Sequence, residues 1–539
     1  MPLRRRKRPR AYGTWQPWRS TTNSFSRRRH GFRFSGSPLP GSPRSGHVYK
    51  IGHSSPLPPI SMVITARSLL KTIWIHGKKH TGVGLVCAVA YFDPGNWGVD
   101  LQAGSSFGYR LLFVVLLSGL FAVFFQVLCS RLGCVTGLDL ASHCRVMLYP
   151  RMVTRVALLY PLYILSEMAI IATDLAELLG SAIALCLLFP ALEIWHGVLI
   201  TAFDVLLILA LGDPLRGRPV RIFEVIIAIL VIAVLICMCI IIARVNVHWP
   251  SAFLGYVPSK YIFKDGALYT SVGIIGATVM PHSLFLGSAL ATQDRVSESS
   301  DDPDPEKPKG QTFKQRIRYA FRIPPMGPTQ VPTNNSLSFV KTHLYHGMAD
   351  VVISLVCFAV VINSLILILA GATLPSATNA ASLFDAYDLI RSAVSPSAAS
   401  LFAVALLFSG QSSSLIATVA GQAVSEGFLN IRLSPVFRRL LTRLMSLIPA
   451  LTVAIAVGKE GIDTLLVASQ VVLSIVLPFI VFPLLWLTSN KRVMTVQDEN
   501  GNSVCFANHI VATLLGAAIW LLVVAANVYV IVMLGEGTS

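Results

Sequence analysis

The chain has 539 residues, of which 54% are hydrophobic and 13% charged, and its mean hydropathy is +0.65. A water-soluble domain carries about 25% charged residues, so a chain this long and this apolar is excluded from that class and needs a bilayer as part of its solvent. The formal charge of +18 has to be explained within a membrane protein, and topology explains it without nucleic acid.

Residues 1–75 read as a disordered, basic cytoplasmic tail. The first 60 residues contain no Asp or Glu, and Pro, Ser, Gly and Arg dominate. An Arg- and Ser-rich leader without acids resembles an organellar transit peptide, but no amphipathic period accompanies it. A basic tail resting on anionic lipid is the simpler reading. The plasma membrane or an endomembrane such as a vesicle or vacuole is therefore expected over a mitochondrial one.

From 76 to 535 the chain reads as one membrane domain. About eleven stretches are long enough to cross ~30 Å of hydrocarbon as helices. They lie near 81–106, 110–131, 155–178, 195–212, 222–244, 267–290, 345–370, 398–421, 440–458, 463–488 and 508–534. Continuous apolar runs, rather than alternating ten-residue segments, argue against a barrel. The expected class is an all-α polytopic bundle. Basic residues fall in alternate loops: Arg131, Arg145, Arg151 and Arg155; Arg216, Arg218 and Arg221; Lys314 to Arg322; Arg438, Arg439 and Arg443; Lys491 and Arg492. Loops 371–396 and 457–463 are poor in them. The positive-inside rule then places the N-terminus in the cytoplasm and, with an odd span count, the C-terminus outside.

Residues 291–345 read as a disordered cytoplasmic loop, with Asp301-Asp302-Pro303-Asp304-Pro305-Glu306 ahead of basic residues. Asn334-Asn335-Ser336 is a formal glycosylation sequon, expected to be unused on that side. The tail and this loop are the segments available to trafficking partners. The nine cysteines form no CxxC pair and imply no disulfide framework. Cys237 and Cys239 on an apolar helix read as small core residues.

Two spans are interrupted. Span one carries Asp93-Pro94-Gly95-Asn96 and span six carries Met280-Pro281-His282. Proline removes a backbone donor and glycine adds freedom, so neither helix continues easily. One proline kink would be ordinary. These two open consecutive five-span units, about 81–244 and 267–488, and paired interruptions are the sequence mark of a central site. Unwound backbone survives in a membrane only where it lines a cavity or is buried in protein. Asp93 costs about 2.5–3.5 kcal/mol to insert even on the lenient scale. Asn96 adds an amide oxygen, Ala90 and Ala277 add carbonyls freed at the breaks, and Met280 adds a thioether. An isolated Met is usually filler. Beside a break that faces a carboxylate it becomes a soft ligand, useful for transition metals and not for calcium or magnesium.

These two segments resemble the signature pair of the Nramp family of divalent-metal transporters. The run Met280 to Ser288 is most similar to the fungal Smf branch. Resemblance continues through Ala172 to Glu177, Gly410 to Ser413 and Ser469 to Ser474, and covers about 80–535. It implies a LeuT-like 5+5 inverted repeat with spans one and six broken, and proton-coupled uptake of Mn²⁺, Fe²⁺ or similar ions. It also implies metal ligation by Asp93, Asn96, Ala90, Ala277 and Met280, with Gln470 joining in some states. The metal is cargo, and no resident cofactor is expected. Many relatives have His where this chain has Gly287, so that second histidine is absent.

Proton coupling needs titrating groups within the membrane. Histidine titrates near pH ~6.5 in water, which makes His282 a relay candidate, although a structural hydrogen bond is its ordinary role. Glu167, Asp174 and Glu177 fall near one face of span three. Three acids there need water or cations. Arg438, Arg439 and Arg443 are the available partners, Arg439 and Arg443 being placed on the proton route. A structural ion-pair network is the alternative, above all for Glu177. Among other classes, an organic-solute carrier of this fold would hold a carboxylate where Asp93 repels one. No HExxH, nucleophile or phosphate-loop motif suggests an enzyme, and no filter sequence suggests a channel. A metal-sensing relative would be expected to lose a site residue, and none is lost.

Overall fold

The computed structural model of the protein describes residues 82–203, 221–264, 266–295, 334–374, 382–430, 434–498 and 501–535. The expected tail at 1–75 and most of the expected loop at 291–345 lie outside the described residues.

Hydrophobic runs set the helices, and polar or glycine punctuation ends them. Span one is Val83–Val89, a tight turn at Ala90–Phe92, then Pro94–Phe107; span two is Leu112–Thr136. Span three runs from Met152 to Leu188 with a wide π turn at Arg155–Leu159. Ile194–Ala202 is helical within the expected span four, whose residues 204–212 lie outside the described residues, and span five is Arg221–Ile242. Span six divides into Ala267–Thr278 and Pro281–Leu290. Spans seven to eleven are Leu337–Thr373, Pro396–Leu429, Pro435–Ala456, Lys459–Ser489 and Ile510–Gly535. Short side-chain caps start many of them. Asp139, Ser336, Ser382, Ser395 and Ser434 each accept a backbone N–H of the first turn, satisfying donors that a helix start leaves open.

Spans three and eight run on past their expected ends at 178 and 421, to Leu188 and Leu429, and two loops differ from expectation. Span seven starts at Leu337, so residues 337–345 are helical where a loop was expected; the Ser336 cap supplies the reason. The loop expected at 371–396 contains an amphipathic helix, Leu383–Ala393, opened by a Ser382–Asp385 capping box. The sequon side chain is also committed. Asn334 Nδ2 donates to the carbonyls of Val493 (2.9 Å) and Thr495 (2.7 Å), beside a small hairpin, Thr495–Gln497 with Ser503–Cys505.

The buried core draws on all the spans, with spans one, three, six and eight among those packed about the breaks. Membrane helices approach closely where small residues meet. A Cβ on Gly133 of span two would overlap the Ser288 carbonyl oxygen of span six. Gly133→Ala is therefore expected to push the two helices apart and cost about 1–3 kcal/mol, read as a lower melting temperature of the detergent-purified protein. An unchanged melting temperature would contradict that contact.

Candidate functional site

The first break is built by side chains that replace helical hydrogen bonds. Asp93 leaves helical geometry (φ −64°, ψ 168°) and caps the helix that follows. Its Oδ1 accepts from Asn96 N (2.9 Å) and Asn96 Nδ2 (2.8 Å). Pro94 takes the first helical position, where a missing N–H costs nothing. The Tyr91 carbonyl accepts from Asn363 Nδ2 at 2.7 Å. The Phe92 carbonyl accepts from Ser409 Oγ at 2.7 Å and Trp97 Nε1 at 3.1 Å. The Ala90 carbonyl would bond the N–H of residue 94, and Pro94 has none.

The second break repeats the same chemistry. The helix runs to Thr278, one residue beyond Ala277, Val279 leaves it, and Met280 caps the helix opened by Pro281. Ala277 stands four residues before Pro281, so its carbonyl also loses its helical donor. Both carbonyls named from the sequence thus stand four residues before a proline, although Ala90 opens a tight turn in which the Asp93 N–H can reach its carbonyl. The helix ending at Thr278 packs against Ala90–Phe92, and Ser118 Oγ donates to Thr278 Oγ1 at 3.1 Å. The breaks face each other, and Ala90, Asp93, Ala277 and Met280 are fully buried.

Span ten brings Gln470 to the same place. A Cβ on Gly95 would overlap Gln470 Nε2, so glycine at 95 is what lets the amide reach the break. Gln470 Nε2 donates to Ser469 Oγ at 3.1 Å. Gln470 Oε1 and Asp93 Oδ2 have no hydrogen-bond partner among the described residues. Buried oxygens are normally paired. Here several converge unpaired, which is an arrangement a desolvated cation can satisfy. Among the described residues no group of three His, Cys, Asp or Glu side chains forms a metal cluster, so any ion held here has one carboxylate and otherwise neutral donors.

Span three carries the acids past this point. A Cβ on Gly180 would overlap Pro94 Cβ, which places Glu177 one turn from the first break. Asp174 Oδ1 pairs with Arg439 Nη1 at 2.6 Å and Arg443 Nη1 at 3.2 Å. Both guanidinium groups also donate to Ser414 Oγ. Glu167 pairs with Arg438 (2.7 Å) and is one-fifth exposed. The arginine choice left open by the sequence is thus settled: Arg438 serves Glu167, and Arg439 and Arg443 serve Asp174. The ion-pair alternative fits those two acids and fails for Glu177, whose carboxylate oxygens have no hydrogen-bond partner among the described residues. Glu177 instead lies within electrostatic reach of Asp93 on one side and of Asp174, Arg439 and Arg443 on the other.

His282 is anchored through Nδ1. Thr173 Oγ1 donates its proton to the Ala169 carbonyl (2.9 Å) and lies 3.2 Å from His282 Nδ1. With the hydroxyl proton on that carbonyl, the ring donates from Nδ1 and Nε2 carries the lone pair; with it on the ring, the roles reverse. That nitrogen is buried and has no partner among the described residues.

Several polar residues of the site carried no motif. Gln126 of span two accepts from Tyr91 Oη (2.9 Å) and donates to Cys87 Sγ (3.1 Å). A Cβ on Gly287 would overlap Gln126 Nε2, so the amide occupies space that a side chain at 287 would need. On the side read as cytoplasmic, Asp350 Oδ2 accepts from Gly82 N (3.2 Å) and Gly84 N (2.7 Å). Arg295 pairs there with Glu224 at 2.7 Å. Ser409, Ser414, Asn363 and Asp100 are also buried. A polar residue inside an apolar span was the available signal for each of them.

A helical membrane bundle with two facing broken helices and a buried carboxylate between them has the architecture described for secondary transporters with discontinuous helices. The family model described as "Natural resistance-associated macrophage protein-like" matches residues 84–533, and the chain belongs to the Nramp family. It is 43% identical over 474 residues to the manganese transporter pdt1 of Schizosaccharomyces pombe, covering 86% of each chain. It is 43% identical to the iron transporter SMF3 of Saccharomyces cerevisiae, covering 78% of this chain and 84% of that one. The solved manganese transporter of Eremococcus coleocola superposes with a TM-score of 0.68 at 31% identity, covering 86% of this chain and 87% of the other. These relatives are named as transporters and not as enzymes.

Proposed function

We propose that this protein is a proton-coupled symporter of divalent transition-metal ions, Mn²⁺ and Fe²⁺ foremost, working by alternating access. The observation that carries the reading is the pair of facing breaks, where Asp93 Oδ2 and Gln470 Oε1 have no hydrogen-bond partner among the described residues and the Ala277 carbonyl loses its helical donor to Pro281, beside Met280. Asn96 completes the set through its amide oxygen. A 2+ ion entering down the membrane potential gains about 4.6 kcal/mol per 100 mV, which helps to offset the loss of its water. Arrival of the cation favours the ionised form of Asp93, so the Asp93 proton leaves as the metal binds. Glu177 and His282 Nε2 are the adjacent groups able to take it, and Asp174 with Arg439 and Arg443 continues the route. Rocking of the broken spans then opens the site to the other side.

Mn²⁺ uptake into sealed proteoliposomes, compared at acidic and neutral external pH, tests the whole reading. Acid-stimulated uptake is expected. No uptake by correctly inserted wild-type protein would overturn it. The thioether gives a second, sharper outcome. Met280→Ala is expected to keep Mn²⁺ uptake within about tenfold of wild type and to lose discrimination against Ca²⁺, because only the soft ligand separates the two ions. Competition by excess Ca²⁺ reads this directly, and an unchanged preference would remove sulfur from the site.

A further inference from the structure

A cavity of about 720 Å³ opens between spans three, ten and eleven, away from the facing breaks. Backbone irregularity makes room for it. Span three carries the π turn at Arg155–Leu159, and span ten carries Pro478 and Pro483 inside its helix. A π turn and interior prolines are recognised causes of bending, and both irregular stretches line the cavity. Its volume lies within the range of about 300–1,000 Å³ typical of ligand pockets.

The walls ask for an apolar occupant. Leu158 and Leu162 of span three face Phe479 and Trp486 of span ten, with Val528 of span eleven beside them. The few polar wall groups are already served. Trp520 Nε1 donates to the Pro478 carbonyl at 2.9 Å. Asn527 accepts from Ser474 Oγ at 2.7 Å and donates to the Val523 carbonyl at 2.9 Å. Among the described residues no wall side chain has a buried polar atom without a partner.

The mouth is different. Met147 and Leu148 close the groove on the side read as cytoplasmic, and Arg155 stands one turn before Leu158. Its guanidinium lies 4.8 Å from the centre of the Tyr149 ring, and its Nε is buried with no hydrogen-bond partner among the described residues. The neighbouring Arg145, by contrast, is committed, donating from Nε to the Gly427 carbonyl at 2.7 Å. A guanidinium stacked on an aromatic face keeps its edge donors for an oxyanion such as phosphate. Basic pockets between membrane helices on the cytoplasmic side suit anionic head groups. A sterol would fill the groove and present only a hydroxyl, which leaves the arginine charge unanswered.

We propose that this groove binds one anionic glycerophospholipid of the cytoplasmic leaflet, with an acyl chain between spans three and ten and the phosphate head group on Arg155. The lipid holds together two spans that also reach the candidate site, span ten through Gln470 and span three through Glu177. The site stands or falls separately from the transport reading, because its test measures binding and not uptake.

The test is thermal unfolding of the full chain, purified in detergent from a eukaryotic host and titrated with dioleoyl phosphatidylserine or dioleoyl phosphatidylcholine. Native mass spectrometry of the same protein reads the retained lipid. Phosphatidylserine is expected to raise the melting temperature by about 3 °C more than phosphatidylcholine, with a single molecule retained per chain. Arg155→Gln is expected to bring the phosphatidylserine response down to that of phosphatidylcholine. Leu158→Trp, which fills the groove, should abolish retention of either lipid. Arg151→Gln, at an exposed position four residues away, should behave as wild type. Equal responses of the wild type to the two lipids would overturn the proposal, and that comparison needs no variant. Equal losses in Arg151→Gln and Arg155→Gln would overturn it too, since they mark a merely basic surface. Retention of a sterol in place of phospholipid is the third contrary result. Size-exclusion profiles identify misfolding, and if Leu158→Trp does not fold, Val528→Trp fills the groove from span eleven under the same criteria.

Discussion

Asp93→Ala is expected to abolish Mn²⁺ uptake at every external pH, with the protein still folded. The reason is local. Among the described residues Asp93 is the one charged group at the facing breaks, and the other donors placed there are carbonyls, amides and a thioether. A 2+ ion stripped of water gains little from neutral donors alone, and a buried charge without a counter-charge is costly. Truncation also removes the cap that accepts from Asn96 N and Nδ2, a loss of about 1 kcal/mol. The fold should tolerate that, so retained thermal stability with no uptake is the outcome to look for. Asp93→Asn separates charge from capping, since it keeps an acceptor and loses the carboxylate. It is expected to bind and carry Mn²⁺ far more weakly and to lose its acid stimulation. Uptake by Asp93→Asn with unchanged pH dependence would remove Asp93 from the coupling step.

How much of this was legible in the sequence follows from what proline and burial announce. Asp93, Pro94, Met280 and Pro281 declare both breaks, because a proline inside an apolar run removes a ladder hydrogen bond that lipid cannot replace. The loss of an α-helical donor at the Ala90 and Ala277 carbonyls follows from the same two prolines by counting four residues back. The nine helices that are long and apolar enough to cross a membrane among the described residues could be read because hydrophobic length is a one-dimensional property. What could not be read was lateral. Asn363, Ser409 and Gln126 each support a break from another helix, and a single polar residue in an apolar span does not say which neighbour it meets. The division of arginines between Glu167 and Asp174 has the same origin, for Arg438 and Arg439 are adjacent in the chain and diverge only on the helix surface. The start of span seven at Leu337 was missed because its first turns carry Lys341 and His343, which lower the hydropathy on which the boundary was drawn.

Asp174→Asn is expected to have the largest effect on stability of any single change at the site. Asp174 is fully buried, and Arg439 and Arg443, each nearly so, converge on it and on Ser414 Oγ. Removing the anion leaves two guanidinium groups in a dry interior, and breaking such a pair costs about 3–5 kcal/mol. A clear fall in melting temperature and in yield of folded protein should follow. Arg439→Gln alone should cost less, because Arg443 still reaches the carboxylate at 3.2 Å. The pair Asp174→Asn with Arg439→Gln carries the more telling result. If the two residues only hold spans three and nine together, the double variant regains much of the lost stability, and its uptake keeps the wild-type dependence on external pH. If they carry the proton away from Glu177, stability returns while acid stimulation does not. Glu177 makes the second outcome the expected one. Its carboxylate oxygens have no hydrogen-bond partner among the described residues, and it stands between Asp93 and this cluster, so a proton leaving the metal site has the Asp174 ion pair as its next charged neighbour.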